Sequence, residues 1–415
     1  MLPILEFIGT QWIEFTLLAA IIVWLIIYLT NNSKKIQIQP FIRFGKFNIL
    51  SMALVRTGWG LKKMDLWAQK YGEWVKLFGL ASIGVGFIGI VANIWLIIDI
   101  VKNLIVSPAT QQVSLVVPFT TIPGLGYLAF SHWIIAIFIL ATVHEFAHGI
   151  VARAHNIPVN SSGFAVLQIF SIPIVPAAFV EPDEKKFPQR SDVEQYSVLA
   201  AGPVSNILLA IPFLLLYLFL FSPLTTTLTE PTGFSFATIV NASPAALVNV
   251  TSGTTYNYVN GQLTNSSDIF LRDLWYGTKP GDILTIGVYN YTSQQLITQL
   301  QITTNASPDD ATKAFIGVAG ITDMRNFKPE NKPYEALFNW FKDLTRICFT
   351  FNLLIGLFNL MPLFITDGGQ IVKVFANKLY PKDKKKAARV HTLVCSICLY
   401  ALLAAFIIPF IFKLF

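Results

Sequence analysis

The chain has 415 residues, of which 54% are hydrophobic and only 13% are charged, and its mean hydropathy is +0.58. Soluble globular proteins carry about 25% charged residues, so this composition excludes an ordinary cytosolic enzyme and indicates a polytopic membrane protein. The net charge of +7 is not gathered in one patch, because the lysines and arginines flank the apolar segments. That distribution favours charges that set membrane topology over a nucleic-acid partner.

Six apolar segments are each long enough to form a helix that crosses a bilayer core of about 30 Å. They are approximately residues 13–29, 77–101, 133–152, 196–221, 344–364 and 393–412. Basic residues are concentrated after the first, third and fifth segments, in 31–76, 153–190 and 373–389. Because Lys and Arg in short loops are retained in the cytoplasm, the pattern predicts a multi-pass protein of the cell membrane with both termini outside.

The same alternation places the polar stretch 223–333 on the extracytoplasmic side. Its segments 233–240, 282–288 and 296–302 are rich in β-branched and aromatic residues, which predicts strands. Five Asn-x-Ser/Thr acceptor sequences for N-linked glycosylation support an extracytoplasmic location. They begin at Asn241, Asn249, Asn265, Asn290 and Asn305.

The third apolar segment contains His144-Glu145-Phe-Ala-His148. Residues four apart share one face of a helix, so both imidazoles can point toward one metal ion. A carboxylate at Glu145 can accept a proton from water that the metal activates. Ionisable groups within hydrocarbon are costly unless they are paired or bind a metal, which favours a metal site over histidines packed between helices. Arg153, at the inner end of the segment, places this site near the cytoplasmic side.

A catalytic zinc site usually has three protein ligands and one open position. Asp367 is the best candidate for the third ligand, because the predicted topology brings it to the same membrane face as His148. Pro362 before it and Gly368 after it favour an irregular, closely packed backbone.

Two alternatives remain open from the residues alone. In the first, Glu181 or Glu184 is the third ligand, and the protein is a membrane-anchored zinc peptidase that acts on soluble or interfacial peptides. In the second, the protein is a non-catalytic membrane receptor or transporter, in which the histidines relay protons or ions and the outer region binds peptide.

Three motifs, taken in order along the chain, resemble the site-two protease family of intramembrane zinc metalloproteases. They are His144-Glu145-x-x-His148-Gly149, Ala201-Gly202-Pro203-Val-Ser-Asn206 and Asn359-x-x-Pro362-x-x-x-x-Asp367-Gly368. The family commonly has Leu before its Asp-Gly pair, where this chain has Thr366. The resemblance implies a zinc metalloendopeptidase that cleaves within or near the transmembrane helices of membrane-protein substrates.

The resemblance also implies roles for individual residues. His144, His148 and Asp367 would bind one zinc ion per chain, and Glu145 would be the general base. Asn359 would position substrate or stabilise the oxyanion, and Asn206 would line the site.

Further similarities concern two regions outside these motifs. Ser243-Pro244-Ala245 and Pro280-Gly281-Asp282 are similar to sequences of PDZ domains in bacterial and archaeal membrane proteases. A PDZ-like domain would bind a peptide by strand addition, whereas the alternative is an unrelated small β domain. The loop 163–187 is similar to family loops that form a re-entrant β-hairpin beside the substrate, and a plain surface loop is the other interpretation.

The predicted fold is therefore a polytopic α-helical membrane protein of about six transmembrane helices with an inserted extracytoplasmic β-rich PDZ-like domain. Residues 1–130 hold two N-terminal transmembrane helices and a basic cytoplasmic loop, and 131–222 form the first half of the metalloprotease core. Residues 223–333 form the PDZ-like domain, and 334–415 form the second half of the core with the C-terminal helix.

A second group of possible metal ligands lies in the last apolar segment. His391, Cys395 and Cys398 fall on one face of a helix, and sulfur ligands suit soft metals. Cysteine also packs well as a small apolar residue, and we interpret this group as structural.

Overall fold

The structure is a computed structural model that describes residues 14, 36–44, 47–58, 60–109, 113, 116–122, 125–170, 172–183, 185–291, 293–308 and 310–414. The chain divides into two compact units. The helical unit comprises Met1–Tyr217 and Phe341–Phe415, and the inserted unit comprises Leu218–Trp340. Apart from residue 14, the first predicted transmembrane segment, 13–29, lies outside the described residues.

The helices and strands are numbered here in chain order. The α-helices are α1 (Leu61–Val106), α2 (Phe130–Ala154), α3 (Asp192–Leu216), α4 (Ser222–Leu228), α5 (Pro244–Leu247), α6 (Asp268–Arg272), α7 (Glu335–Asn359), α8 (Asp367–Leu379) and α9 (Lys384–Leu414). The strands are β1 (Ile36–Phe44), β2 (Phe47–Thr57), β3 (Thr121–Ile122), β4 (Gly126–Tyr127), β5 (Val159–Ile169), β6 (Ile172–Pro182), β7 (Thr229–Ile239), β8 (Tyr258–Val259), β9 (Gln262–Leu263), β10 (Ile283–Asn290), β11 (Gln295–Thr303), β12 (Asn305–Ala306), β13 (Ala314–Phe315) and β14 (Val318–Phe327).

Among the described residues, four helical stretches are long and apolar enough to cross a membrane: Leu61–Val106, Phe130–Ala154, Asp192–Leu228 and Lys384–Phe412. They contain the second, third, fourth and sixth predicted segments, and they identify a membrane protein. Helix α1 extends well beyond the predicted 77–101 on both sides, with non-helical backbone angles at Tyr71.

The fifth predicted segment, 344–364, differs from the structure at both ends. Helix α7 begins earlier, at Glu335, and ends at Asn359, so residues 360–366 are not helical. Lys342, Asp343 and Arg346 interrupt the apolar surface of α7, and the helix is not one of the four candidate spans. Pro362, which lacks an N–H donor, lies in the irregular segment that follows.

Small residues let the helices of the helical unit approach one another closely. A Cβ added at Gly79 would overlap Ser197 Oγ of α3, and one at Gly86 would lie 3.1 Å from the Cβ of Ala200. Close approach through small residues is the usual way in which transmembrane helices associate. The glycines of α1 thus let it approach α3 closely.

The helical unit also contains a four-stranded sheet in the order β1-β2-β5-β6. All its neighbouring strands are antiparallel, and β6 is an edge strand. Most of the predicted loop 163–187 is therefore a β-hairpin made of β5 and β6. Strands β1 and β2 from the N-terminal region form the other half of the sheet, and this pairing was not predicted from the sequence.

The inserted unit has an aromatic core. Strand β7 pairs with β14, and a second sheet has the order β11-β10-β8-β9, so the strands predicted in 233–240, 282–288 and 296–302 are confirmed as β7, β10 and β11. Phe234, Phe236, Tyr256 and Phe270 are each at most 1% exposed. The resemblance of this unit to PDZ domains stays a prediction.

Candidate metal centre

The two histidines of α2 and the aspartate that begins α8 lie together. The Nε2 atoms of His144 and His148 are 3.1 Å apart. Asp367 places Oδ2 at 3.1 Å from His144 Nε2 and Oδ1 at 3.4 Å from His148 Nε2. The three side chains can each offer a ligand atom to one metal ion, and these atoms all lie within 4.8 Å of one another. Two imidazoles and a carboxylate are a donor set that suits zinc.

Asp367 is held by the local structure around the start of α8. Thr366 is the N-cap residue, and its Oγ1 accepts a hydrogen bond from the Gly369 N–H at 3.3 Å. A Cβ at Gly368 would overlap the carbonyl oxygen of Leu360, and one at Gly369 would overlap that of Leu363. The two glycines therefore let the irregular segment fold tightly against α8, as the sequence analysis expected. The threonine that departs from the family pattern caps this helix.

The charge state of Asp367 suits a metal ligand. Burial opposes ionisation of this carboxyl group, but the neighbouring His148 and His144 hold its pKa below its usual range. The group is therefore an anion near neutral pH.

The orientation of His148 is set by α3. Its Nδ1 lies 2.7 Å from the carbonyl oxygen of Val198, which can only accept a hydrogen bond. Nδ1 must therefore carry the proton, and Nε2 presents its lone pair to the centre. A backbone carbonyl has no signature in the side-chain sequence, and the sequence analysis missed this contact.

Asn206 of α3 contacts the imidazole of His144 in a similar way. Its amide nitrogen lies 3.3 Å from His144 Nδ1, while its Oδ1 is buried and has no hydrogen-bond partner among the described residues. Rotating the amide by a half-turn directs Oδ1 to an Nδ1–H of His144 without changing the shape of the side chain. Both Nε2 lone pairs then face the carboxylate of Asp367, as a bound cation requires, so the residues fit a zinc ion.

The glycine of the second motif makes room for the imidazoles. A Cβ at Gly202 of α3 would overlap His148 Nε2 and would lie 2.8 Å from His144 Nε2. Gly202 belongs to the second of the three motifs, but the motif alone does not indicate this role. Its place beside both imidazoles depends on how α2 packs on α3, which spacing along the chain does not show.

Glu145 faces a cavity of about 650 Å³. Its Oε2 accepts a hydrogen bond of 2.8 Å from the Val180 N–H of edge strand β6. The cavity is also lined by the three candidate ligands and by Asn359. Asn206 is fully buried and contacts His144 from the side of α3, so the structure places it as a support for an imidazole.

Two glutamates, Glu181 and Glu184, were the alternative candidates for the third ligand. Glu181 forms an ion pair with Arg56, with 2.6 Å between Oε1 and Nη2, and it is not part of the cluster. The hydrogen bond from Arg56 is the main cause that lowers the pKa of Glu181. Glu184 lies outside the described residues.

The last helix holds the other candidate group. Cys395 is fully buried, and Cys398 is 5% exposed and packs in a cluster with Ile97, Met361 and Leu363. These contacts agree with a structural role for the two cysteines.

The comparisons with known proteins agree with this centre. The sequence model for peptidase family M50 matches residues 132–405, a range that includes all three candidate ligands and Glu145. An uncharacterized protein of Methanocaldococcus jannaschii is 26% identical over 384 residues, which cover 90% of this chain and 88% of that protein. The chain belongs to peptidase family M50, the site-2 protease family, which indicates a zinc-dependent membrane metalloprotease.

Proposed function

We propose that this protein hydrolyses peptide bonds within or near the transmembrane helices of other membrane proteins, as in regulated intramembrane proteolysis. In this proposal His144, His148 and Asp367 bind one zinc ion per chain, Glu145 is the general base, and the lipid bilayer is the medium of the reaction.

The observation that carries the proposal is the position of the centre within an apolar helix. Helix α2 is a candidate span that ends at Ala154. At about 1.5 Å per residue, His148 lies roughly 9 Å and His144 roughly 15 Å before that end. A reacting peptide bond must therefore come to a site inside the span, and a membrane-spanning substrate already has its bonds at such depths.

A second observation concerns the form in which the substrate is presented. The Val180 N–H points away from β5, toward Glu145. In an antiparallel ladder the outward-facing residues alternate, so the backbone of Ala178 also faces outward from the sheet. Both residues line the cavity. This edge suits an extended peptide, which requires that a substrate helix first give up its own hydrogen bonds.

The chemistry then follows from the side chains. Zinc, when bound, acts as a Lewis acid and activates water as a nucleophile. With zinc held by His144, His148 and Asp367, the Glu145 carboxylate would accept a proton from water, and the resulting carboxylic acid would donate that proton to the nitrogen of the leaving amine. The amide of Asn359, which lines the same cavity, can donate a hydrogen bond to the carbonyl oxygen of the scissile bond.

The test is to measure the zinc content of the detergent-purified protein together with cleavage of a membrane-spanning helical substrate. Wild type should hold one zinc per chain and cleave the substrate. Asp367→Ala should lose zinc and activity, whereas Glu145→Gln should keep zinc and lose activity. A soluble peptide of the same sequence is the matched substrate. A wild type that cleaves only that peptide would contradict the proposal, and a protein without zinc would contradict the assigned ligands.

We also propose that the inserted unit is an extracytoplasmic PDZ-like domain that binds a peptide. Its strands support this, as does the turn at Lys279–Asp282, in which Gly281 has a positive φ of 96°. Asn241, Asn249, Asn265 and Asn305 are exposed and so accessible for glycosylation on that side. Labelling of cysteines introduced in the inserted unit of intact cells, by a reagent that does not cross membranes, tests this side. Protection from the reagent would contradict the proposed topology.

A further inference from the structure

One ion pair joins β2, which pairs with β1 near the N-terminus, to β6, the strand whose Val180 N–H contacts Glu145. Arg56 of β2 binds both carboxylate oxygens of Glu181 on β6, at 2.6 Å and 3.0 Å. Strand β5 lies between these two strands. Its residue opposite Arg56 is Gly163, which has no side chain to separate the pair. Ser161 of β5 also donates to Glu181, so the carboxylate is held from two strands.

The ion pair lies next to the backbone amide that contacts Glu145. Glu181 directly follows Val180, whose N–H donates to the Glu145 carboxylate. A displacement of Glu181 therefore moves the backbone amide that contacts the proposed base. Arg56 lies outside residues 132–405, which the family's sequence model matches, so the family resemblance gives it no role.

Strand β6 has a particular need for such an anchor. Among the described strands it is hydrogen-bonded to β5 alone, so no further strand holds its other edge in place. The pairing of β5 with β6 is also irregular near both ends, between Val159 and Ser161 and between Leu167 and Gln168. The ion pair thus adds a fixed point next to the irregularity between Val159 and Ser161.

The pair contributes little to overall stability. The side chains of Arg56 and Glu181 are 37% and 31% exposed, and partly exposed pairs contribute about 0–1 kcal/mol. Their bidentate geometry instead gives a defined direction and distance.

We infer that Arg56 and Glu181 are positioning residues for peptide hydrolysis, which hold edge strand β6 so that the Val180 N–H keeps the Glu145 carboxylate in place. Strands β1 and β2, which lie outside the three motifs of the family resemblance, thereby support the reaction. This inference rests on the proposed function, because the positioned group is the proposed base.

The experiment compares Arg56→Met with wild type in full-length, zinc-loaded protein, on the membrane-spanning substrate and well below the melting temperature. Methionine keeps most of the apolar stem and removes the guanidinium. We expect kcat to fall about tenfold or more, since misplacement of a catalytic group by about 1 Å can cost up to about 100-fold. KM and zinc content should change by less than about twofold on the same argument. The double variant Arg56→Glu with Glu181→Arg should recover most of the lost kcat.

The matched control is Lys76→Met, which removes the ion pair of 2.9 Å between Lys76 and Glu73 on α1. Its kcat should equal that of wild type. Amide hydrogen exchange of residues 172–182 supplies a readout that does not depend on activity. Exchange should be faster in Arg56→Met than in Lys76→Met, because the anchor of β6 is lost.

Three results would overturn the inference. They are an unchanged kcat in Arg56→Met, a loss that the charge-swapped variant does not recover, and unchanged exchange of residues 172–182. A wild type that binds zinc but cleaves no peptide would refute the proposed function instead. The exchange comparison would still decide whether the ion pair holds β6.

Discussion

The inserted unit and the helical unit both bury apolar clusters, but α1 of the helical unit also exposes large apolar side chains and buries a polar one. Phe234 and Phe270 are fully buried in the inserted unit. In α1 of the helical unit, Ile88 and Trp95 are 71% and 69% exposed, whereas Asn93 is only 5% exposed. Water drives apolar side chains inward, but lipid gives them no such preference, and transmembrane helices associate through small residues and hydrogen bonds. A lipid-facing surface on α1 therefore explains why Ile88 and Trp95 are exposed while Asn93 is buried.

The largest effect that tests this contrast is the loss of a core aromatic residue. Phe234→Ala in the inserted unit should lower the free energy of unfolding by about 3–5 kcal/mol, because it leaves a cavity in a close-packed core. Trp95→Ala in α1 removes a comparable area from a lipid-facing surface and should change stability by about 0.5 kcal/mol or less. Denaturant unfolding in detergent measures both. Equal losses would contradict the assignment of α1's exposed face to lipid.

A smaller effect is expected when a methyl group is added between the helices at the metal centre. Gly202→Ala should weaken zinc affinity about 10- to 100-fold, the range typical for a disturbed support of metal ligands, because the new Cβ overlaps the His148 imidazole. Gly84→Ala is the matched control, since nothing lies within 4 Å of a Cβ at Gly84. Competition with a zinc chelator measures the affinity. Normal zinc binding by Gly202→Ala would show that the imidazoles do not lie against α3.

A hydrogen bond between helices should contribute less again. Asn93 Nδ2 donates to the carbonyl oxygen of Leu357 at 2.8 Å. Asn93→Ala should lower stability by about 0.6–2 kcal/mol, the range for hydrogen bonds between helices in membrane proteins and model peptides. Asn103→Ala, which removes a bond to Asp99 within α1, should cost about 0.5 kcal/mol or less. If thermal unfolding in detergent ranks the two variants in the opposite order, polar contacts do not hold α1 against α7.

The smallest effect is the pH dependence of the pair between Arg56 and Glu181. The pKa of Glu181 in the folded protein is lowered, chiefly by the hydrogen bond from Arg56. The pair's contribution of about 0–1 kcal/mol is therefore complete above the carboxyl group's ordinary pKa of 4.5 and is lost as the pH falls through the lowered value. The difference in stability between wild type and Arg56→Met should shrink over that range. A difference independent of pH would show that the carboxylate's charge is not involved.

The two units also differ in how well the sequence predicted the positions of their helices and strands. In the inserted unit, alternating β-branched and aromatic residues predicted β7, β10 and β11. In the helical unit, hydropathy predicted four of the spans, but α7 begins and ends elsewhere than predicted. Hydropathy reports composition within a window, whereas the end of α7 depends on the turn around Pro362 and on the close fit of Gly368 and Gly369.

The sequence by itself determined the membrane class of the protein and the helical spacing of His144 and His148, because apolar length and helical period are local properties. It favoured Asp367 as the third ligand through the predicted topology, but it left Glu181 and Glu184 open. Only the tertiary structure decided that the Val198 carbonyl and Gly202 lie against the imidazoles and that Asn206 contacts His144. It also decided that Arg56 of β2 reaches Glu181 of β6 across the intervening strand β5. Such contacts join residues far apart in the chain, and they arise from the packing of whole helices and strands, which no single segment of sequence encodes.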